Sequence, residues 1–349
     1  MTLEHARRKA RHWRELISKG IDPAQEEERQ RREQQRRQAG TFAAVAEGFI
    51  ETVLPHQRKG RVVERQLRRE FIPRWGARPI DDITPLDVAD VIRAAVKRDA
   101  IYEAHNLLGV VRRLYTWAIS CGVYGLQHSP CDRLKPRDVI GVGKAIRQRT
   151  LTDPELRAFW GATEVLGYPF GHLYRLLAIT GQRKGEVAEA TWREFDLSTK
   201  LWTIPAERMK ADAPHIVPLS DMALHVLREL PRFDGGKYLF SFNLGSTPVS
   251  GFSKSKSRLD TLIRQRLAEC EPFVIHDIRR TVRTRLSAAP VEDRVRELVI
   301  AHTQKGLHKV YDQHAYLDEK RTALDWWAAR LNSIVLPPPE NVVELKTRA

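Results

Sequence analysis

The chain has 349 residues, which at about 150 residues per domain points to two domains, each long enough to enclose a core. Its 42% hydrophobic and 30% charged content excludes a wholly disordered chain and a fibrous repeat. Against 44 Asp and Glu stand 59 Lys and Arg, a net charge of +15 with a sequence pI near 9.9, so the expected partner is a polyanion, nucleic acid ahead of a membrane surface.

The opening residues, Met1 to Arg8, lack the apolar stretch of a signal peptide. Ala10, Trp13, Leu16 and Ile17 then recur at helical spacing, and Gly20 with Asp22-Pro23 stops that helix. Glu26 to Arg37 is nearly all Glu, Gln and Arg, which reads as a solvated spacer, or alternatively as an arm along a phosphate backbone. From Thr41 the apolar residues form stripes. Phe42, Val45, Phe49 and Ile50 make one; Val63, Leu67 and Phe71 make a second, ended by Pro73. Thr84-Pro85, an N-cap with proline at the first helical position, opens a third through Leu86, Val88, Val91, Ile92 and Val96. Leu107, Leu108, Val111, Leu114, Tyr115 and Ala118 give a fourth, closed by Gly122. Four helices without a strand signal predict a small helical bundle. Arg58, Lys59, Arg61, Arg65, Arg68, Arg69, Arg112 and Arg113 decorate its polar faces; singly they are solvated surface, together a side facing DNA.

Residues 135–149, with Lys135, Pro136, Gly141, Gly143, Lys144 and Arg147, have the composition of a basic, flexible linker. The capping box Thr152-Asp153-Pro154-Glu155 opens a second, mostly helical domain. One β interlude breaks it: Leu201–Ile204 and His215–Leu219 flank a polar turn as a hairpin, with Tyr238-Leu239-Phe240 as a candidate third strand. Beyond Leu336, three prolines predict a detached tail in which Val342, Val343 and Leu345 could dock on a neighbour. The expected fold class is therefore mainly α with a small antiparallel β-sheet. Its divisions are 1–40 charged helix and linker, 41–136 helical bundle, 147–335 second domain and 336–349 tail.

No phosphate loop, dinucleotide fingerprint, zinc-protease helix or nucleophile elbow occurs, and no apolar run approaches the roughly 18 residues of a membrane span. Cys121, Cys131 and Cys270 are too few and scattered for a disulfide framework or a zinc site. Neither a cofactor nor a metal is expected. Four segments concentrate polar chemistry. In Thr180-Gly181-Gln182-Arg183-Lys184-Gly185-Glu186 an apolar helix stops at Gly181, and Arg183 begins the next one beside N–H groups that favour an anion. Lys210 sits in the hairpin turn. His276-Asp277-Ile278-Arg279-Arg280 puts His276 and Arg279 on one helix face. His302 and Tyr311 flank a helix-breaking Thr303-Gln304-Lys305-Gly306 turn. Each alone is ordinary: a His-x-x-Arg pair is most often a surface ion-pair helix, and a lone Tyr a half-buried core residue.

In this order and spacing the set resembles the tyrosine recombinases, most closely the integrases of prophages and genomic islands. The resemblance runs along essentially the whole chain. It takes in Thr180-Gly181-x-Arg183-x-x-Glu186, Met209-Lys210, His215-Ile216-Val217-Pro218-Leu219-Ser220, His276–Thr281, His302, Tyr311-Asp312-x-His314-x-Tyr316-Leu317 and Trp326-Trp327. It implies a core-binding bundle at 41–136 and a catalytic domain at 147–335 that together clamp double-stranded DNA at attachment sites. Tyr311 would attack a phosphodiester to give a 3′-phosphotyrosine and a free 5′-hydroxyl, with no energy source. Arg183 and Arg279 would hold the phosphate, Lys210 protonate the leaving oxygen, and His276 and His302 share proton transfer and phosphate contact. Glu186 would orient the site. The residue types suit the task, since a phenol with a pKa near 10 needs its developing charge stabilised, and guanidiniums stabilise the charged transition state.

Tyr311, nine residues after His302, fits the nucleophile's place better than Tyr316, and Lys210 lies before the second hairpin strand while its rivals Lys200 and Lys237 lie at strand ends. Where the family has Gly before its last histidine this chain has Ala301, whose methyl is expected to crowd the backbone near His302. Residues 3–23 look like the last helix of an arm-site-binding domain. The implied assembly is a homotetramer on DNA, monomeric or weakly associated when free, with an accessory DNA-bending or excision factor, acting in the bacterial cytoplasm at the nucleoid without a membrane partner. Two other readings stay open: an integrase that has kept only DNA binding, and a topoisomerase of type IB character.

Overall fold

Helix α1 spans Leu3–Ser18, and the chain turns at Gly20 in the left-handed conformation before a helical stretch at 23–29. The structure is a computed structural model and describes residues 3–20, 22–29, 40–122, 124–141, 147–209, 213–302 and 316–336. The chain divides into two units, Met1–Ile146 and Arg147–Ala349, each with its own hydrophobic core.

In the first unit the apolar stripes lie inside their helices. Phe42, Val45, Phe49 and Ile50 line the buried side of α2 (Phe42–Thr52), which Thr41 caps through its hydroxyl. α3 (Gly60–Gln66) runs through Leu67–Phe71 into α4 (Ile72–Trp75). Pro73 does not end this helix as its sequence suggests. The turn before it widens to an i→i+5 pattern, with Ile72 N–H donating to the Leu67 carbonyl, which makes room for the proline ring and its missing donor. Trp75 can then pack edge-on against Phe42, ring centroids 5.1 Å apart. α5 (Pro85–Lys97) has a full capping box between Thr84 and Asp87, but Leu86 faces solvent instead of the core. α6 (Ile101–Cys121) closes at the left-handed Gly122. The stretch expected to be linker is in part structural: α7 (Pro136–Ile140) buries Val139 and Ile140 in this core, because two adjacent apolar residues outweigh a basic, glycine-rich context.

The second unit begins with anchored arginines, Arg147 on Asp277 and Arg149 on Glu155. α8 (Asp153–Leu166), with its Thr152–Glu155 capping box, packs on α9 (Phe170–Thr180), which ends at left-handed Gly181. α10 (Lys184–Ala188) follows. The sheet is three antiparallel strands, β1 (Phe195–Asp196), β2 (Leu201–Ile204) and β3 (His215–Pro218), in that order, with Trp202 opposite Val217 and Ile204 opposite His215. The third strand is thus Phe195–Asp196, not 238–240, which forms only a bridge between Tyr238 and Thr191. Phe195 earns its place by stacking on Trp202 at 5.1 Å. α11 (Asp221–Arg228), α12 (Phe252–Arg264), α13 (Ile275–Arg285), α14 (Asp293–Val299) and α15 (Leu317–Val335) complete the unit. Fully buried Trp327 of α15 donates to the Ala178 carbonyl at 2.8 Å, locking α15 on α9.

Candidate active site

Two of the expected site residues, Arg183 and Arg279, meet with Gln182 and His215 at three consecutive carbonyls where α14 ends. The Val299 oxygen receives Gln182 Nε2 (2.8 Å) and faces His215 Nε2 (3.3 Å). The Ile300 oxygen receives Arg279 Nη2, and the Ala301 oxygen receives Arg183 Nη2 at 3.1 Å. His302 is the next residue. Groups from three separate stretches of sequence therefore converge on one short turn.

Local structure explains how each arrives. Gly181 is needed on two counts: its φ is +66°, and a Cβ there would lie 2.9 Å from Val282 Cγ1. Its carbonyl accepts from Arg279 Nη1 at 3.0 Å, so the turn that releases Arg183 also holds Arg279. Arg183 is the N-cap residue of α10, and Glu186 reaches back to its backbone N–H and its Nη1, both at 2.7 Å. The Arg183 N–H, one of the amides at this helix start, is thus already taken by Glu186. On α13, His276 stands exposed in the first turn, while Arg279, one turn on, is only 4% exposed. Between them Asp277 is fully buried and accepts from Arg147, Arg280 and Val274 N–H, so Arg280 is turned away from Arg279. Exposed His302 points Nδ1 at Glu297, which Arg283 also binds.

The electrostatics here are dominated by clustered cations. Burial, then the neighbouring Arg183 charge, pushes Arg279 down to about 10, only partly offset by Glu186 and Glu297. Partial desolvation lowers His276 below the ordinary histidine value, and Arg279, Arg280 and Arg183 add to that against Asp277. His276 is thereby held as the neutral imidazole near pH 7. Burial disfavours the Glu297 charge, but the bonds from Arg283 and His302 outweigh it and keep its pKa below the usual carboxylate value.

Lys210 and Tyr311 lie outside the described residues, as do the 303–306 turn and the tail from 337. Tyr316, the rival tyrosine, is described: it caps the start of α15 with φ +50°, packs on the core, and has the Arg294 guanidinium 4.9 Å from its ring centroid. Of the lysine rivals, Lys200 is paired with Asp221 at 2.7 Å. Ala301 takes φ +52°, so the cost of its methyl is first a backbone one.

Family comparison matches residues 149–317 to the phage integrase family and residues 42–137 to the phage integrase central domain, together more than half of the chain. The chain belongs to the phage integrase family. It is 27% identical over 347 residues to prophage integrase IntZ of Escherichia coli (strain K12), an alignment covering 96% of this chain and 82% of that protein. Two solved structures share its fold. One is the Tn1549 transposon integrase in complex with circular intermediate DNA (TM-score 0.60, 16% identity, 80% of this chain and 98% of that one). The other is a lambda integrase tetramer bound to a Holliday junction (TM-score 0.57, 16% identity, 78% of this chain and 80% of that one).

In this integrase-family chain the bundle's basic residues divide into two groups. Arg58, Lys59, Arg61, Arg65 and Arg113 are exposed. Arg61 and Arg65 border a shallow depression with Glu64, Arg68 and Arg69. Arg68 is spent on Glu47 and Glu64, and Arg69 on Glu70 and Glu103. Arg112 is half-buried and donates to the Leu134 carbonyl, which makes it a strut for the chain after α6 instead of a surface charge. Among the described residues no group of His, Cys, Asp and Glu could hold a metal, and no helix is long and apolar enough to cross a membrane. Gln182, Arg208, Glu297 and Lys320 were not singled out by sequence. Lys320 is 6% exposed and donates to the Ile216 carbonyl at 2.9 Å, beside His215. Nothing in Asp318-Glu319-Lys320-Arg321 distinguishes the inward lysine from its less buried neighbours.

Proposed function

We propose that the chain is a site-specific recombinase that cuts and rejoins double-stranded DNA through a 3′-phosphotyrosine. The phenolic oxygen of Tyr311 forms the new O–P bond as the bond from phosphorus to the 5′-oxygen breaks. The phenolic proton passes to neutral His276, and Lys210 gives a proton to the departing 5′-oxygen. A 5′-hydroxyl from a second strand reverses the step and releases the tyrosine. Arg183 and Arg279 bind the non-bridging oxygens, and His302, with Nδ1 held by Glu297, offers Nε2 to the same phosphate. Glu186 orients Arg183.

The observation that carries this reading is the paired guanidiniums. Each spends two of its five N–H groups on a fixed carbonyl or carboxylate, and one is almost wholly buried beside the other. Two neighbouring cations with too little negative charge around them are stabilised when a phosphate arrives, and more so as it gains charge in the transition state. In the same reading residues 41–136 are the core-binding domain and 147–335 the catalytic domain. Arg58, Lys59, Arg61, Arg65 and Arg113 face phosphates, and four protomers assemble on DNA in the cytoplasm, at the nucleoid.

Trapping tests it. Duplexes recovered from covalent adducts with a randomised pool would define a site, and the same site with a nick beside the cut should accumulate a detergent-stable adduct. Absence of any adduct with intact DNA affinity favours a protein that only binds DNA. An adduct with supercoil relaxation but no exchange between two duplexes favours the topoisomerase reading.

A further inference from the structure

One residue holds His302 twice. The His302 backbone N–H donates to the Glu297 carbonyl at 2.9 Å, and its ring Nδ1 meets Glu297 Oε2. The other carboxylate oxygen, Oε1, is occupied: Arg283 Nε donates to it at 2.6 Å. Arg283 is fixed in turn, with Nη1 on Ser287 Oγ (3.2 Å) and Nη2 on Asp293 Oδ1 (2.6 Å). It stands on α13 one turn beyond Arg279, so the helix that presents His276 and Arg279 also seats the carboxylate behind His302. Although burial opposes it, the bonds from Arg283 and His302 hold Glu297 below the usual carboxylate value. An ionised carboxylate only accepts, and the hydrogen between it and His302 therefore belongs to Nδ1.

We propose that Glu297, seated on Arg283, is the positioning residue of His302, fixing its imidazole in the Nδ1–H form with Nε2 left for the phosphate. Its consequence for catalysis rests on the reading of His302 as a phosphate ligand. In this form the neutral ring shows a lone pair at Nε2, and the charged ring shows an N–H. His302 then donates to a phosphate oxygen only as imidazolium, through a charge-assisted bond. The two histidines divide the work: neutral His276 takes the phenolic proton, and charged His302 holds the phosphate. Glu297 touches no reacting atom. Arg283 decides which end of a side chain at 297 faces His302, because its Nε must meet an oxygen.

An isosteric change reverses the bond pattern. In Glu297→Gln the side-chain oxygen must still meet Arg283 Nε, which leaves the amide NH2 facing Nδ1 and turns that nitrogen into an acceptor. Long-range proton–nitrogen correlation spectra of the full chain with isotope-labelled histidine read the tautomer, taken at about pH 8 where an ordinary imidazole is neutral. The His302 signals are those lost in His302→Gln. The parent should show Nδ1–H, and Glu297→Gln should show Nε2–H. The same tautomer in both, or Nε2–H in the parent, overturns the inference whether or not DNA is cleaved. Should Glu297→Gln not fold, Glu297→Ala takes its place, and an undiminished Nδ1–H signal there is equally decisive against it. Single-turnover cleavage of the nicked duplex found by trapping completes the test. Glu297→Gln should be about tenfold slower, the difference between a charged and a neutral donor, with duplex affinity unchanged. In a His302→Gln background the same change should cost nothing further, since Glu297 acts only through that ring. An equal further loss there marks a merely structural role and also overturns the inference. If His302→Gln alone cleaves at the parent rate, the reading of His302 as a phosphate ligand fails, while the spectra still decide the tautomer.

Discussion

His215 Nε2 lies 3.3 Å from the Val299 carbonyl oxygen, inside the second unit and within reach of the charges on Lys320, Arg279 and Arg183. Burial first, then Lys320, pushes this imidazole down to about 3, with Arg279 and Arg183 adding to the shift and only the Val299 carbonyl opposing it. The folded protein thus keeps a neutral histidine that the unfolded chain protonates below about pH 6.5. Stability from this group is complete above that pH and is lost as pH falls toward 3. His215→Gln, which keeps a donor but cannot titrate, should be less stable than the parent at pH 7. The gap should close by about 1.4 kcal/mol per pH unit below 6.5. Urea unfolding at pH 7, 6 and 5 reads it; a gap constant with pH contradicts the account.

Ala301 holds a left-handed backbone with φ +52° so that its carbonyl meets Arg183. For a non-glycine residue that conformation costs about 1–2 kcal/mol. Ala301→Gly should therefore raise the unfolding free energy by about 0.5–1 kcal/mol, after the extra freedom of glycine in the unfolded chain is subtracted. Destabilisation by the same change would mean the methyl is packed and the backbone unstrained.

Gln182 is fully buried and donates from Nε2 to both Thr180 and Val299 carbonyls. Gln182→Glu sets a carboxylate against two carbonyl oxygens and should cost about 2–4 kcal/mol, with loss of adduct formation. Gln182→Met, apolar and of similar volume, should cost less. Equal stability of the parent and Gln182→Glu would remove Gln182 from the turn's supports.

On the bundle, Lys59, Arg61 and Arg65 are exposed, whereas Arg112 is tied to Leu134. Alanine at each of the first three should leave stability within about 0.5 kcal/mol and flatten the slope of log affinity against log salt by about 0.9 apiece. Arg112→Ala should cost about 1–3 kcal/mol and leave the slope alone. Fluorescence anisotropy between about 50 and 200 mM salt distinguishes the two groups. A slope change at Arg112 without a stability change would reverse this assignment.

The sequence was most legible where one local rule acts alone. The Thr84 and Thr152 capping boxes, the glycine stops at 122 and 181, and the β2–β3 hairpin each follow from a few neighbouring residues. It misled where tertiary packing overrides a local signal, as when the widened turn carries a helix past Pro73, or when Val139 and Ile140 draw a basic linker into the core. At the candidate site, Arg183, His276, Arg279 and His302 were singled out by their order and spacing, and the structure brings Arg183 and Arg279 to the turn that leads into His302. Their supports were not, since Gln182, Arg208 and Lys320 act through bonds to carbonyls more than a dozen residues away, and a buried lysine has the same letter as a solvated one.

Whether one phenol becomes joined to DNA is read by peptide mapping of the trapped adduct by mass spectrometry, alongside Tyr311→Phe. A nucleotide-modified peptide with the adduct on Tyr311 is expected, and a phenylalanine variant that binds the same duplex with unchanged affinity yet forms no adduct. An adduct on Tyr316, or one that survives in Tyr311→Phe, would contradict it.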